Sequence, residues 1–246
     1  MVEYDDLFLK NSPTPLSSSL KSLFSPRRFF RALLYLLYSS SYLFPSLNSL
    51  NEKYRLAFID RFDLIRYGTI WLALERIIEN NIEGDLAEVG VWKGNSSAFI
   101  HEILPNRKIY LFDTFEGFPT QDVEKDALKG YPTNFSDTSI DEVINKMKKK
   151  ENVIIRKGYF PETAKGLENK KFSFVSLDAD LYNPIKAGLY FFYPRLSKGG
   201  YIFVHDYNYP LFNRGPKRAV DEFCSDLCVN FFEIPDACGS IIIKKP

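Results

Sequence analysis

The sequence predicts an α/β domain: a central, mostly parallel seven-stranded sheet with helices on both faces, preceded by a helical extension over residues 1–50. Three observations carry this expectation. From residue 51 onward, short apolar runs alternate with helical stretches, the pattern of successive βαβ units. Leu86-Ala87-Glu88-Val89 leads into Gly90-Val91-Trp92-Lys93-Gly94 and then Asn95-Ser96-Ser97, so a strand with an acidic end feeds a two-glycine turn and a helix. Asp113, 23 residues after Gly90, closes a second apolar run, Ile109-Tyr110-Leu111-Phe112.

That order has a chemical meaning. Glycine permits positive φ and close backbone approach. A helix amino terminus offers free N–H groups and a positive dipole end. A carboxylate ending the next strand can accept from both hydroxyls of a ribose. Together they read as a Rossmann-like nucleoside site. Its candidate contacts are Glu88, Gly90, Val91, Trp92, Asn95 and Ser96 around the turn, with Asp113, Thr114 and Phe115 at the end of the second strand.

Taken in order, residues 1–50 are Ser-, Pro- and Leu-rich, and then carry Arg27-Arg28-Phe29-Phe30-Arg31 and an apolar run to Tyr38. The run is too short and too interrupted to span a bilayer. A helix docked on the core or at a dimer interface is expected, or a weak membrane-surface contact through residues 27–45. Residues 51–246 form the main domain. Glu52–Asn80 reads as a long helix whose apolar face is Leu64, Ile65, Ile70, Leu74, Ile77 and Ile78. Strands are expected at Leu86–Val89, Ile109–Phe112, Val153–Arg156, Phe174–Leu177 and Tyr201–Val204. Helices are expected at Ser96–Leu104, Ser139–Lys149, Pro161–Leu167, Pro184–Tyr193 and Pro216–Leu227, with a closing hairpin near Val229–Ile234 and Ser240–Ile243. The Gly-, Pro- and Asp-bearing segment Thr114–Asp137 is long for a connection, and should overhang the ligand.

Composition bounds the function. A 246-residue chain with 45% hydrophobic and 26% charged residues suits one soluble α/β domain plus an extension. A net charge of +1 supplies no global field for nucleic acid. Three cysteines, Cys224, Cys228 and Cys238, read as small thiols rather than a metal clip, because too few other ligands cluster with them. No secretory signal is visible in the first residues, so a reducing cytoplasm is the expected home.

The chemistry concentrates at two strand ends. The fourth strand runs into Asp178-Ala179-Asp180 and the fifth into His205-Asp206. In open α/β sheets ligands lie beyond the carboxyl ends of strands. If those strands are neighbours, Asp178, His205 and Asp206 converge as candidate ligands of a divalent cation. Such a cation would hold substrate hydroxyls and ease deprotonation. Asp180, two residues beyond Asp178, is the candidate proton acceptor, and His205 the alternative base.

These residues resemble the macrocin O-methyltransferase family. The resemblance rests on Gly84–Gly94, on Phe112-Asp113-Thr114-Phe115-Glu116-Gly117-Phe118-Pro119, on Asp178-Ala179-Asp180-Leu181-Tyr182, and on Leu196–Gly200 followed by His205-Asp206-Tyr207. It covers about residues 52–240 and implies a class I methyltransferase fold. It implies S-adenosylmethionine as cofactor, with its methionine end near Glu88 and Gly90 and its ribose on Asp113. It makes Asp178, His205 and Asp206 the positions of a metal site, Asp180 the base, and a hydroxyl of a small, sugar-containing molecule the acceptor. The family pattern has an acid where this chain has His205. Magnesium is the metal implied, and the imidazole shifts preference toward softer ions. A homo-oligomer is expected. The rival readings are a nicotinamide-dependent oxidoreductase, which shares the ribose-binding Asp, and a cofactor-binding scaffold without catalysis.

Overall fold

The computed structural model describes residues 63–120, 122, 135–209 and 214–246. The expected extension over 1–50, with its apolar run and surface contact, lies outside the described residues, as does the first part of the helix expected over 52–80. The described elements are α1 (Leu64–Glu79), β1 (Asp85–Val89), α2 (Asn95–Ile103), β2 (Ile109–Asp113), α3 (Ile140–Lys146) and β3 (Val153–Lys157). They continue with β4 (Phe172–Leu177), α4 (Tyr182–Phe192), β5 (Leu196–Val204), α5 (Gly215–Leu227), β6 (Phe232–Ile234) and β7 (Ser240–Lys244).

Asp63 starts α1, its Oδ1 accepting from the Arg66 amide at 3.0 Å. The buried face of α1 is Tyr67, Ile70, Trp71, Leu74 and Ile77, whereas Ile65 and Ile78, expected on that face, are exposed. The helix expected over 161–167 is one 3₁₀ turn, Glu162–Ala164. Gly158 and Gly166, both at positive φ, bracket a span too short for more. β5 starts five residues earlier than expected, because Ser197–Gly200 bulge opposite Ser173 between the Phe172–Leu196 and Phe174–Tyr201 pairs.

The seven strands lie in the order β3-β2-β1-β4-β5-β7-β6. β1 to β5 pair in parallel, and β7 runs antiparallel to both β5 and β6. The chain winds outward from β1 through β2 to β3, then returns to place β4 on the other side of β1. The strand order therefore reverses between β1 and β4, the crevice where open sheets hold ligands.

Burial explains why the central strands read as unbroken apolar runs. Every residue of β4 is buried. On one face Phe192 of α4 packs edge-on to Phe172 at 5.0 Å between ring centroids, and meets Phe112 and Phe160 at 5.9 Å. Such ring pairs add to the stabilisation that burial alone gives. Among the described residues no helix is long and apolar enough to cross a membrane.

Register sets the site. Val89 pairs with Leu177, and Leu177 with Val204, so Gly90, Asp178 and His205 emerge side by side at three adjacent strand ends. The ladder continues one step, with the Asp178 amide donating to Val89 O at 2.8 Å and the His205 amide to Leu177 O at 2.9 Å. Gly90 has φ +85, and a Cβ there would stand 2.0 Å from the Asp178 carbonyl oxygen. Gly90→Ala should therefore cost more than the roughly 1–2 kcal/mol that a left-handed residue alone costs. Urea unfolding checks this; a stability unchanged from wild type would show that β1 and β4 part easily at this end.

Candidate active site at the strand-order reversal

A cavity of about 580 Å³ opens over these strand ends. That lies within the roughly 300–1,000 Å³ of small-ligand clefts. One wall is the turn and α2: Gly90, Val91, Trp92, Asn95 and Ser96 all line the cavity, with Asp113 and Thr114 beside them. Gly94, at φ +70, caps α2 with no side-chain hydrogen bond, so the first-turn amides of that helix have no competing cap. The opposite wall carries Asp178, Asp180, His205 and Asp206. Phe118, Pro119, Asp122 and Phe135, from the two ends of the loop after β2, also face the space, as expected for an overhanging segment. Residues 121 and 123–134 of that loop lie outside the described residues.

Asp113 does more than was expected. Its Oδ2 accepts from the Val91 and Trp92 amides at 2.7 and 2.8 Å, and its Oδ1 from the Phe115 amide at 2.7 Å. A carboxylate offers about four acceptor positions. Three hold the backbone of the turn, which leaves about one for a ligand hydroxyl rather than a full pair. Phe115, expected at the cofactor, is buried and acts through this amide; it does not line the cavity. Glu88 also stands behind the wall. It is fully buried at the end of β1, takes a hydrogen bond from the Ser97 hydroxyl, and does not line the cavity. Burial pushes its pKa up to about 7, against the hydroxyls of Ser97 and Ser96 that favour the carboxylate.

The acidic cluster converges as the topology requires, by a different local route. β4 ends at Leu177, so strand alternation does not carry Asp180 to the site. A tight turn does: Leu181 N donates to Ala179 O at 2.6 Å, and Asp180 sits at φ 59, matched by Asp206 at φ 60. Left-handed Asp residues of this kind gather at functional sites. Burial raises the Asp180 pKa well above the usual carboxylate range, and Asp206 adds to this through its charge and a hydrogen bond between the two side chains, as does the Asp178 charge.

Sequence reasoning missed Arg66. Its Nη2 donates to Asp178 Oδ2 at 2.5 Å, and its Nη1 lies 3.1 Å from His205 Nε2. The far edge of the imidazole, Nδ1, stands 2.9 Å from Asp178 Oδ1 and 3.0 Å from Asp206 Oδ2. Burial would raise the Asp178 pKa, but Arg66 and then His205 overcome it and hold the carboxylate ionised well below its usual range. For His205, burial opposes the charged ring, Asp178 outweighs it and raises the pKa, and Arg66 again opposes. Nε2 can accept from Arg66 only while the ring is neutral with its hydrogen on Nδ1, since protonation of Nε2 would set donor against donor. One signal was legible: Arg66 stands four residues before Ile70 and eight before Leu74, on the buried face of α1.

The donor set therefore does not fit the metal triad expected from the sequence. Asp178 and His205 are bridged by a protein cation, and Asp178 and Asp206 both turn to the same imidazole nitrogen. The nucleoside side does fit. Its glycine turn, uncapped helix terminus and remaining Asp113 position present donors and an acceptor to one cavity.

The strand order, the switch-point cleft and the glycine turn together define a class I methyltransferase fold. Two solved structures share it. An O-methyltransferase, NovP, aligns with a TM-score of 0.59 at 25% identity, covering 74% of this chain and 79% of its own. CalS11, a calicheamicin methyltransferase, aligns with a TM-score of 0.60 at 16% identity, covering 95% and 99%. The chain belongs to the macrocin O-methyltransferase family: the family model described as "Macrocin-O-methyltransferase (TylF)" matches residues 65–230. Demethyldecarbamoylnovobiocin O-methyltransferase of Streptomyces niveus is 30% identical over 174 residues, 64% of this chain and 64% of the relative. The 8-demethyl-8-(2,3-dimethoxy-alpha-L-rhamnosyl)-tetracenomycin-C 4'-O-methyltransferase of Streptomyces olivaceus is 26% identical over 163 residues, 61% and 60%. The chain thus spans about three-fifths of the length of these curated relatives.

Glu88 gives a pH test of the buried wall. A carboxyl raised from 4.5 to about 7 keeps its proton in the folded state after the unfolded chain has lost it. Its contribution is full below pH 4.5 and is lost as pH rises through 7, by up to about 3 kcal/mol at 1.36 kcal/mol per unit. Glu88→Gln should flatten that fall. Unfolding free energies from pH 4 to 8 check this; identical pH slopes in variant and wild type would mean that Glu88 is ionised in the fold.

Proposed function

We propose that this protein is an S-adenosylmethionine-dependent O-methyltransferase whose acceptor is a hydroxyl of a small, sugar-containing natural product. The observation that carries this reading is a single cavity with a nucleoside-type wall on one side and the Asp180 carboxyl on the other, in a chain of this family. The relatives named for a rhamnosyl tetracenomycin and for demethyldecarbamoylnovobiocin support the acceptor class. Gly90, Val91, Trp92, Asn95, Ser96, Asp113 and Thr114 would hold the cofactor, with Glu88 and Phe115 supporting the turn from behind.

When bound, S-adenosylmethionine supplies an electrophilic methyl group, which passes to the acceptor oxygen as S-adenosylhomocysteine departs. The protein's work is then alignment and removal of one proton. Asp180 is the base. Its raised proton affinity makes it more basic than an ordinary carboxylate, and its hydrogen bond to Asp206 gives the proton a second oxygen to rest on. The aromatic residues Phe118 and Phe135 would hold the acceptor from the loop side and exclude water.

A nicotinamide oxidoreductase accounts for the ribose-binding position alone, and a scaffold leaves Asp180 and Asp206 without a role. Calorimetric titration with S-adenosylhomocysteine and with NAD separates the first rival: S-adenosylhomocysteine should bind and NAD should not. Transfer of labelled methyl from S-adenosylmethionine to a panel of rhamnosides and glycosylated aromatics addresses the second. Asp180→Asn should lower kcat by roughly 10²–10⁴ with S-adenosylhomocysteine affinity preserved. The wild-type rate should rise with pH through a pKa above the usual carboxylate range. A kcat within threefold of wild type at every pH would remove Asp180 from the chemistry.

A further inference from the structure

Arg66 stands where the sequence led to a metal. The side chains of Arg66 and Asp178 are only 13% and 18% exposed, and their charges meet at 2.5 Å. Short charge-assisted contacts of this kind are strong where water is scarce. Every carboxylate expected to ligate a metal already has a basic partner: Asp178 has the guanidinium and the imidazole, and Asp206 has the imidazole. His205 Nε2 lies 3.1 Å from Arg66 Nη1, and Nδ1 lies 2.9 and 3.0 Å from the Asp178 and Asp206 carboxylates, close to both although not aligned as a hydrogen bond with either.

Among the described residues two other triplets bring ligand atoms within 4.8 Å of one another, His205–Asp206–Cys238 and Asp63–His205–Asp236. Each would need one of those same two nitrogens. A divalent ion seated here would also meet a guanidinium that cannot shed its charge.

We infer that the Arg66 guanidinium is the built-in cation of this site, standing in place of a divalent metal, so that the site works without one. The inference rests on the methyltransferase reading for its purpose, but its geometry is independent of that reading. A guanidinium carries five N–H donors. Among the described residues the guanidinium makes two side-chain hydrogen-bond contacts, both through its Nη atoms, and also lies 5.8 Å from the Tyr67 ring centroid, while the residue lines the cavity. It thus has donors to spare for an acceptor oxygen, and a fixed positive charge beside the place where negative charge would develop. Asp178 is then a positioning residue, holding the guanidinium rather than a metal. Helix α1 becomes a functional element, since Asp63 fixes its start and so the direction from which Arg66 enters.

The test reads cation binding and needs no acceptor. Mg²⁺, Mn²⁺ and Zn²⁺ are titrated calorimetrically into the full chain saturated with S-adenosylhomocysteine. The expected result is no binding tighter than about 1 mM, with S-adenosylhomocysteine affinity unchanged in excess chelator. Arg66→Ala leaves a guanidinium-shaped space beside an ionised Asp178. It should be stabilised thermally by methylguanidinium, and bind it at least about tenfold tighter than Mg²⁺ or Mn²⁺. Should that variant fail to fold, Arg66→Ser leaves nearly the same space and should show the same preference for methylguanidinium over Mg²⁺ and Mn²⁺. One equivalent of a divalent cation held by the wild type and lost in Asp178→Asn would overturn the inference. So would an Arg66 variant that prefers Mg²⁺ or Mn²⁺ to methylguanidinium. Failure of S-adenosylhomocysteine to bind would instead sink the methyltransferase reading, and the titration in the free protein would still decide the cation.

Discussion

The site depends on the close approach of two strand ends, β1 at Gly90 and β4 at Asp178. Side chain has been removed from one of them so that backbone can meet backbone: a single Cβ at Gly90 would overlap the Asp178 carbonyl. From this contact the rest follows. The Asp178 amide can continue the ladder to Val89 O, which fixes the direction of its carboxylate. The chain beyond Gly90 must turn away, into the loop that Asp113 gathers with three amide donors. α2 then starts at a glycine without a side-chain cap, and its terminus faces the space left open.

Charge organises what register brings together. Asp178, Asp180 and Asp206 are held within a few residues of two strand ends, and the interior would not tolerate three ionised carboxylates there. The structure divides the load. Asp178 stays ionised against Arg66, while burial and the neighbouring Asp206 and Asp178 raise the proton affinity of Asp180. Pushing the proton affinities of two carboxyls apart is how a single pocket supplies an anionic anchor and a more basic proton acceptor together. The buried Arg66–Asp178 pair is not a cheap source of stability, since desolvation offsets most of its attraction. Its value is positional.

The sheet was legible from the sequence because its central strands are unbroken apolar runs and its turns carry glycine. β1, β2 and β4 came from that pattern, and the acidic strand ends gave the site its place, whereas the order of the strands in the sheet came only with the structure. The local geometry was not legible. Asp180 reaches the pocket through a left-handed turn rather than a continuing strand, and nothing in Asp178-Ala179-Asp180 distinguishes the two. Glu88 and Phe115 have the right positions in the motif but serve from behind the wall, because side-chain direction at a strand end depends on how the next turn leaves. Arg66 was hidden by distance: its partner lies 112 residues away, and no local pattern ties a helix to a strand end that far along the chain.

The loop after β2 is pinned at both ends. Thr114 bonds back to Gly117, and at the far end Asp137 takes both the Trp92 indole N–H at 2.8 Å and the Lys93 ammonium at 2.6 Å. A segment clamped in this way can change its length at small entropic cost, about 0.6 kcal/mol for each doubling. Between the pins it meets the frame through side chains, Glu116 with Lys157 of β3 and Asp122 accepting from Tyr159 and Asn183. The fold thus keeps its invariable parts and its editable parts in separate stretches of chain. Descendants could exchange one rim for another while the ladder of β1, β4 and β5 stays untouched.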